Sequence, residues 1–177
     1  MFLDLLKKRR SIRQFTTQPV EKEKIELLVE AVLRSPSSRS LNPWHFIVVT
    51  DQASRTALAK AKPHGGSFIA QAPLAMVVCA DPAKCDVWIE DASIAALILH
   101  LAATDLGLGS CWVQIRLREH HAGQSAAAHI ADLLDLPAGM EVEAMIAIGY
   151  PQETKAAHSK DSLPYDRISY EKFTGKG

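Results

Sequence analysis

Four short apolar segments punctuate the chain, at 44–50, 74–80, 110–115 and 141–150. Each is dense in β-branched, aromatic or aliphatic residues, which marks it as a strand. Segment 74–80 (Leu-Ala-Met-Val-Val-Cys-Ala) carries no charge and is short enough for a buried strand. The stretches between them read as helices. In 21–34, Ile25, Leu28, Val29 and Val32 fall at i, i+3, i+4 and i+7, and acids crowd the first turn, where the helix dipole favours them. Pro36 disfavours helical angles at Ser35 and ends that helix. Further helices are expected at 4–9, at 51–62 with Asp51 as cap, at 86–106 with Asp86 as cap, and at 119–134. From Ile94 onward the helix at 86–106 is apolar on nearly every side, so it belongs in a core or an interface. Residues 151–177 form a polar tail. Helices interleaved with strands imply one layered α/β or α+β domain, and 177 residues leave little room for a second.

Several chemistries are missing from the sequence. There is no GxSxG elbow and no Walker A loop. Gly107-Leu108-Gly109 stands between a helix and a strand, the wrong context for a dinucleotide fingerprint, and Trp112 occupies the third glycine position. His120, His121 and His129 cluster on the expected helix 119–134 without the spacing of a metal motif, so no metal is expected. Cys79, Cys85 and Cys111 have neither disulfide nor zinc spacing, which fits a reduced, cytoplasmic protein. The longest apolar run, 94–103, is half of a membrane span. Twenty basic residues balance twenty acidic ones, which excludes nucleic acid and anionic membrane as bulk partners.

That balance is uneven along the chain. Residues 1–60 hold eleven cations against six acids, and five of the cations lie between Lys7 and Arg13. Within this cluster, Arg9-Arg10-Ser11-Ile12-Arg13-Gln14-Phe15 supplies three guanidiniums and a hydroxyl. Guanidinium forks suit phosphate and conjugated carbonyl edges. In extended chain, Ser11 and Arg13 would point to one side. A second polar element, Ser35-Pro36-Ser37-Ser38-Arg39-Ser40-Leu41-Asn42-Pro43-Trp44, offers hydroxyl and backbone donors in a constrained loop.

Together, RRSIRxF and SPSSxxxxPWxFIVV resemble the FMN-dependent nitroreductase family. Residues 91–112, the strand Met145-Ile146-Ala147-Ile148-Gly149-Tyr150-Pro151, and the tail with Lys155, His158 and Leu163-Pro164-Tyr165 agree, so the resemblance covers nearly the whole chain. It implies an α+β fold: a central mixed β-sheet flanked by helices, in an intertwined homodimer with FMN at the interface. It treats 1–177 as one FMN-binding domain whose tail, 151–177, packs on the partner. By the same resemblance, Arg9 and Ser11 would hold the phosphate and ribityl chain, and Arg10 is a further cofactor-binding candidate beside them. Arg13 would sit at the pyrimidine edge, where a cation stabilises reduced flavin. Pro36, Ser37, Ser38 and Ser40 would reach the flavin of the other subunit. Trp112, Val113 and Gln114 would lie beside the ring system, and Lys155 and His158 near the phosphate.

Departures from the family pattern are Ser40 and Asn42 in the loop, and Lys160-Asp161-Ser162, where longer members carry a Lys-x-Arg pair. The pocket roof would be small or come from His64-Gly65-Gly66-Ser67-Phe68. The implied activity is two-step transfer of a hydride from NADH or NADPH, through flavin N5, to an electron-poor small molecule of nitroaromatic, quinone or enone type. No protein acid or base is required, so none is named as catalytic; His64 and Cys111 carry no assigned role. Two alternatives stay open: a flavin-binding sensor or carrier without turnover, and an enzyme of this fold that uses flavin reduced elsewhere.

Overall fold

The computed structural model describes residues 1–121 and 123–175. The helices are α1 (Phe2–Lys8), α2 (Lys22–Leu33), α3 (Gln52–Leu58), α4 (Trp88–Asp105) and α5 (Ala126–Leu133). The strands are β1 (Trp44–Val49), β2 (Leu74–Ala80), β3 (Gly109–Gln114) and β4 (Glu141–Gly149). They form one sheet in the order β1-β2-β4-β3. All three pairings are antiparallel, where a mixed sheet was expected. The parallel component is reduced to a single bridge, Ser11 to Ser110.

The central strands explain why the sequence is so apolar there. Every residue of β2 is buried, and in β4 only Glu141 is exposed. Helices therefore cover both faces of the sheet. On one face Leu28 and Val32 of α2 and Leu99 and Ala103 of α4 pack on Met76, Val78, Ile146 and Ile148. On the other, Ile12, Phe15, Leu58, Ile69 and Ile130 pack on Val77, Val113 and Met145.

Two expected helices are shorter than their periodicity suggested. Asp51 does cap α3, accepting from the Ser54 N–H at 2.7 Å, but that helix stops at Leu58. The helix expected over 119–134 spans only α5. Gly123 has a left-handed φ of 81°, and Ser125 starts the helix by accepting from the Ala128 N–H at 3.0 Å. Residue 122 lies outside the described residues. Asp86 does not cap α4, whose first turn begins at Trp88; it pairs with Arg39 instead.

The end of the sheet that matters most is the start of β3. Gly109 and Gly149 face each other across the β3–β4 ladder. A Cβ on Gly109 would come within 2.9 Å of Ile12, and one on Gly149 would collide with Pro73. The two glycines thus let residues 11–16 cross the sheet at close range. The crossing is fixed by the Ile12 N–H to Ser110 carbonyl bond (3.0 Å) and the Thr16 N–H to Tyr150 carbonyl bond (2.9 Å).

Candidate functional site

Arg9 leaves α1 in extended conformation, with ψ of 119°, and residues 11–15 continue along the start of β3. Ile12 and Phe15 point into the core, which leaves Arg13 exposed and Ser11 half-buried. The tail returns over this segment. The Gln152 N–H bonds the Gln14 carbonyl at 2.9 Å. The Glu153 carboxylate accepts from the N–H groups of Arg13 (2.6 Å) and Gln14 (3.2 Å). Lys155 Nζ donates to the Ser11 carbonyl at 2.7 Å and pairs with Glu153 at 3.4 Å. Lys155 thus joins the motif through the chain itself.

Beyond Lys155 the tail and α1 enclose a cleft of about 730 Å³. Lys7, Arg9, His158 and Lys160 line it, with Leu3, Leu6, Leu163 and Tyr165 as apolar wall. No carboxylate is among its lining residues. Such a cleft suits an anionic group carried on a larger body. Arg10 makes no ion pair or side-chain hydrogen bond among the described residues. Arg13 holds its guanidinium carbon 5.8 Å from the Phe68 ring centre, so Phe68 lies against Arg13.

Two buried groups lie directly beneath. His100 of α4 bonds Ser110 Oγ through Nδ1 at 2.8 Å. Burial, with the nearby Arg9 charge, pushes its pKa down to about 4, so the ring is neutral at pH 7. Cys111 is buried, and burial raises its thiol pKa against the pull of Arg13, Ser11 and Lys155. It is therefore a packed thiol rather than a nucleophile.

Along β3, Trp112 and Gln114 share one face, and Trp112 Nε1 donates to Gln114 Oε1 at 2.9 Å. Val113 points into the opposite core, so only its backbone could meet a ligand. Lys62 Nζ donates to the Gln114 carbonyl at 3.0 Å.

The Pro36–Ser40 loop lies elsewhere. Ser37 Oγ donates to Asn42 Oδ1 at 2.7 Å and accepts from the Asn42 N–H at 2.9 Å. The Ser38 N–H donates to Asp91 at 2.9 Å, and Arg39 pairs with Asp86. Asn42 thus fastens the loop. Arg39, Ser40 and Asn42 all adopt left-handed φ, at 52°, 55° and 47°. Such strain in non-glycine residues gathers at binding sites. Asp91 sits in the first turn of α4 and His100 beside the Arg9–Arg13 segment. They are nine residue steps apart along the helix, about 14 Å at a helical rise of roughly 1.5 Å. One chain therefore does not bring the two polar elements together.

The model of the Nitroreductase family matches residues 6–64 and 61–150. The chain belongs to the nitroreductase family. An FMN-dependent nitroreductase from Clostridium difficile superposes with a TM-score of 0.95 at 44% identity, over 97% of this chain and 99% of that one. A relative from Archaeoglobus fulgidus, provisionally named NADH dehydrogenase/NAD(P)H nitroreductase, is 34% identical over 97% of this chain and 98% of its own. The FMN reductase [NAD(P)H] of Bacillus subtilis is 27% identical over 92% of this chain and 70% of its own.

Set on this family fold, four residues were missed by sequence reasoning: Lys7 and Lys160 as cleft cations, Glu153 as the clasp on Arg13, and His100 under Ser110. Lys7 was visible as part of the basic cluster. Glu153 and His100 had no local signal, because their partners are far away in sequence.

Proposed function

We propose that the protein is an FMN-dependent oxidoreductase that takes electrons from NADH or NADPH and reduces an electron-poor small molecule of nitroaromatic, quinone or enone type. The observation that carries this reading is the convergence of α1, residues 9–13 and the tail at the start of β3. Lys7, Arg9, His158 and Lys160 line one cleft without an opposing carboxylate, and Ser11, Arg13 and Lys155 lie beside it. That donor set fits FMN: several cations for a phosphate dianion, hydroxyl and backbone groups for a sugar chain, and Arg13 for the ring's carbonyl edge. When bound, FMN supplies the two-electron relay between nicotinamide and acceptor.

The protein residues bind and orient. Arg9, His158 and Lys160 hold the anionic end. Arg13, kept in place by the Glu153 clasp on its backbone, brings positive charge to the ring edge. Trp112 and Gln114 present a polar-aromatic face of β3. Neutral His100 supports Ser110 from below without adding charge.

The working unit is a homodimer. Ile94 and Leu97 of α4 are exposed, and Ile98 and Leu101 continue the same stripe half-buried. An apolar stripe on the longest helix calls for a partner surface. The detached Pro36–Ser40 loop then serves the flavin of the second chain. The tail of the single 1–177 domain packs on that chain, covering Leu163, Tyr165, Ile168 and Phe173, which are exposed in the monomer. No helix among the described residues is long and apolar enough to cross a membrane, and the three cysteines are free, which suits cytoplasm.

The test is a spectrum. Purified protein, as isolated or reconstituted with FMN, should be yellow and bleach anaerobically on addition of NADH or NADPH. Protein that cannot be loaded with FMN, or that stays oxidised with both nucleotides, overturns the reading.

A further inference from the structure

Glu143 stands out as an acidic side chain buried on the sheet. It lies within the apolar run of β4 and is only 4% exposed. Its Oε2 has no hydrogen-bond partner. It also interrupts the ladder. Ala144 pairs with Val78 and Val142 with the next β2 residue, Cys79, so Glu143 is the extra residue of a β-bulge. On the other side, the N–H groups of Ile115 and Arg116 both bond the Glu143 carbonyl, at 3.2 and 3.0 Å. The bulge therefore ties Glu143 to the end of β3, immediately after Gln114.

The charged and titratable groups around it are few. Gln114 and Arg116 come from β3 and the turn after it, and Glu90 from the first turn of α4. Cys79 of β2 is also near in register, but its thiol is pushed up to about 12 by burial and stays neutral. Burial raises the Glu143 pKa, and the Glu90 charge adds to this; Gln114 and Arg116 oppose it. A protonated carboxyl is a neutral hydrogen-bonding group, able to accept from an amide with one oxygen and donate with the other.

We propose that Glu143 is a positioning residue of the candidate site, holding the Gln114 amide, and through it the Trp112 indole, on the face of β3 that meets the cofactor. The Gln114 side chain is the hinge of this arrangement. Its Oε1 accepts from Trp112 Nε1 at 2.9 Å, and its Nε2 donates to the Arg116 carbonyl at 3.0 Å. The second Nε2 hydrogen is available to the Glu143 carboxyl that lies against it. An apolar residue at 143 would leave that hydrogen without this partner, and the amide free to turn. The unpartnered Oε2 then marks where a water or a polar atom of a bound ligand completes the set. This inference rests on the FMN-dependent reading for the meaning of that face, but not for the coupling of Glu143 to Trp112.

The experiment uses the full chain, with and without FMN. The Trp112 indole N–H resonance, assigned with Trp112→Phe, is followed from acid to neutral pH. FMN dissociation constants are measured alongside for wild type, Glu143→Gln, Glu143→Leu and Glu90→Gln. Wild type should show the Trp112 resonance titrating above the usual glutamate range. Glu90→Gln should lower that midpoint. Glu143→Gln should abolish the titration while keeping FMN affinity within about twofold, since the amide preserves the hydrogen bond. Glu143→Leu should weaken FMN about tenfold, the loss of one buried hydrogen bond. A Trp112 resonance that does not titrate, or titrates unchanged in Glu143→Gln, overturns the proposal. So does wild-type FMN affinity in Glu143→Leu. If wild type itself binds no FMN, the functional reading fails, and the indole titration still decides whether Glu143 positions Gln114.

Discussion

The two ends of α4 hold two polar elements built in opposite ways. At the His100 end, residues 11–16 are bonded to the sheet by backbone and clasped again by Gln152, Glu153 and Lys155. At the Asp91 end, the 36–40 loop is held by side chains: Asp91 on the Ser38 N–H, and Asn42 with Ser37. It stores strain in three left-handed residues. The first element is part of the fold, and the second is an attachment to it. A segment fixed by the sheet can keep a cofactor-binding geometry within its own chain. A strained loop pinned at the far end of the same helix lies away from that segment, which is why the proposed function gives it to the second chain.

The strongest way to break this comparison is to remove the second chain. Leu97 is half exposed on the α4 stripe. Leu97→Glu places a charge in the proposed interface, where its desolvation has no compensating partner. The expected outcome is a monomer by light scattering, still folded by circular dichroism, with FMN binding and NAD(P)H oxidation lost together. A Leu97→Glu protein that remains dimeric and active would show that the loop and the clasp do not meet across α4.

Acid separates the two ends next. His100 has its folded pKa depressed to about 4 from an ordinary value of 6.5, chiefly by burial. Its contribution to stability is therefore fully present above the unfolded pKa and is lost as pH falls from about 6.5 toward 4. The loss is on the order of 3 kcal/mol at its limit. Urea unfolding of wild type and His100→Gln between pH 7 and 4 isolates this contribution, since the other carboxylates and imidazoles titrate in both. The same acidification should expose the Ile12 amide to hydrogen exchange before it exposes the Ser38 amide, because His100 underlies the former. Equal acid sensitivity in the two proteins would remove His100 from the support of the clasp.

The contrast between the ends also explains what the sequence could disclose. The strands were legible because burial on both faces leaves nearly uninterrupted apolar runs, as in 74–80. Their order was not, since β2 pairs with β4 across more than sixty residues and no local pattern records that choice. The antiparallel sheet was missed for the same reason. The helix over 119–134 was overextended because alanine-rich periodicity outweighed the Gly123 and Ser125 signals at its true start. In the site, Arg9, Ser11 and Arg13 form a contiguous motif and could be read directly. The loop was read as polar, but its anchor Asp91 is on another element, and Glu143, the second acid of the β4 run, passed as an ordinary strand residue.

The smallest effect, and the sharpest, comes from the loop's own anchor. Asp91 is 3% exposed and accepts from the Ser38 N–H at 2.9 Å and from Cys85 Sγ at 3.4 Å. Asp91→Ala leaves the Ser38 N–H without its partner, and should cost about 1–2 kcal/mol, within the range for an unmatched hydrogen-bonding group. The clasp lies at the other end of α4, so Ile12 amide protection should not change. FMN affinity should nevertheless fall in the proposed dimer, where the released loop would serve the partner's cofactor. Mixed dimers decide the point. One chain carries Asp91→Ala and the other carries Arg9→Ala together with Arg13→Ala. If the loop serves the opposite chain, both lesions fall on the same cofactor site, and one of the two sites stays intact. If each loop serves its own chain, both sites are damaged and no tight site remains. Counting tight FMN sites per mixed dimer separates the two arrangements.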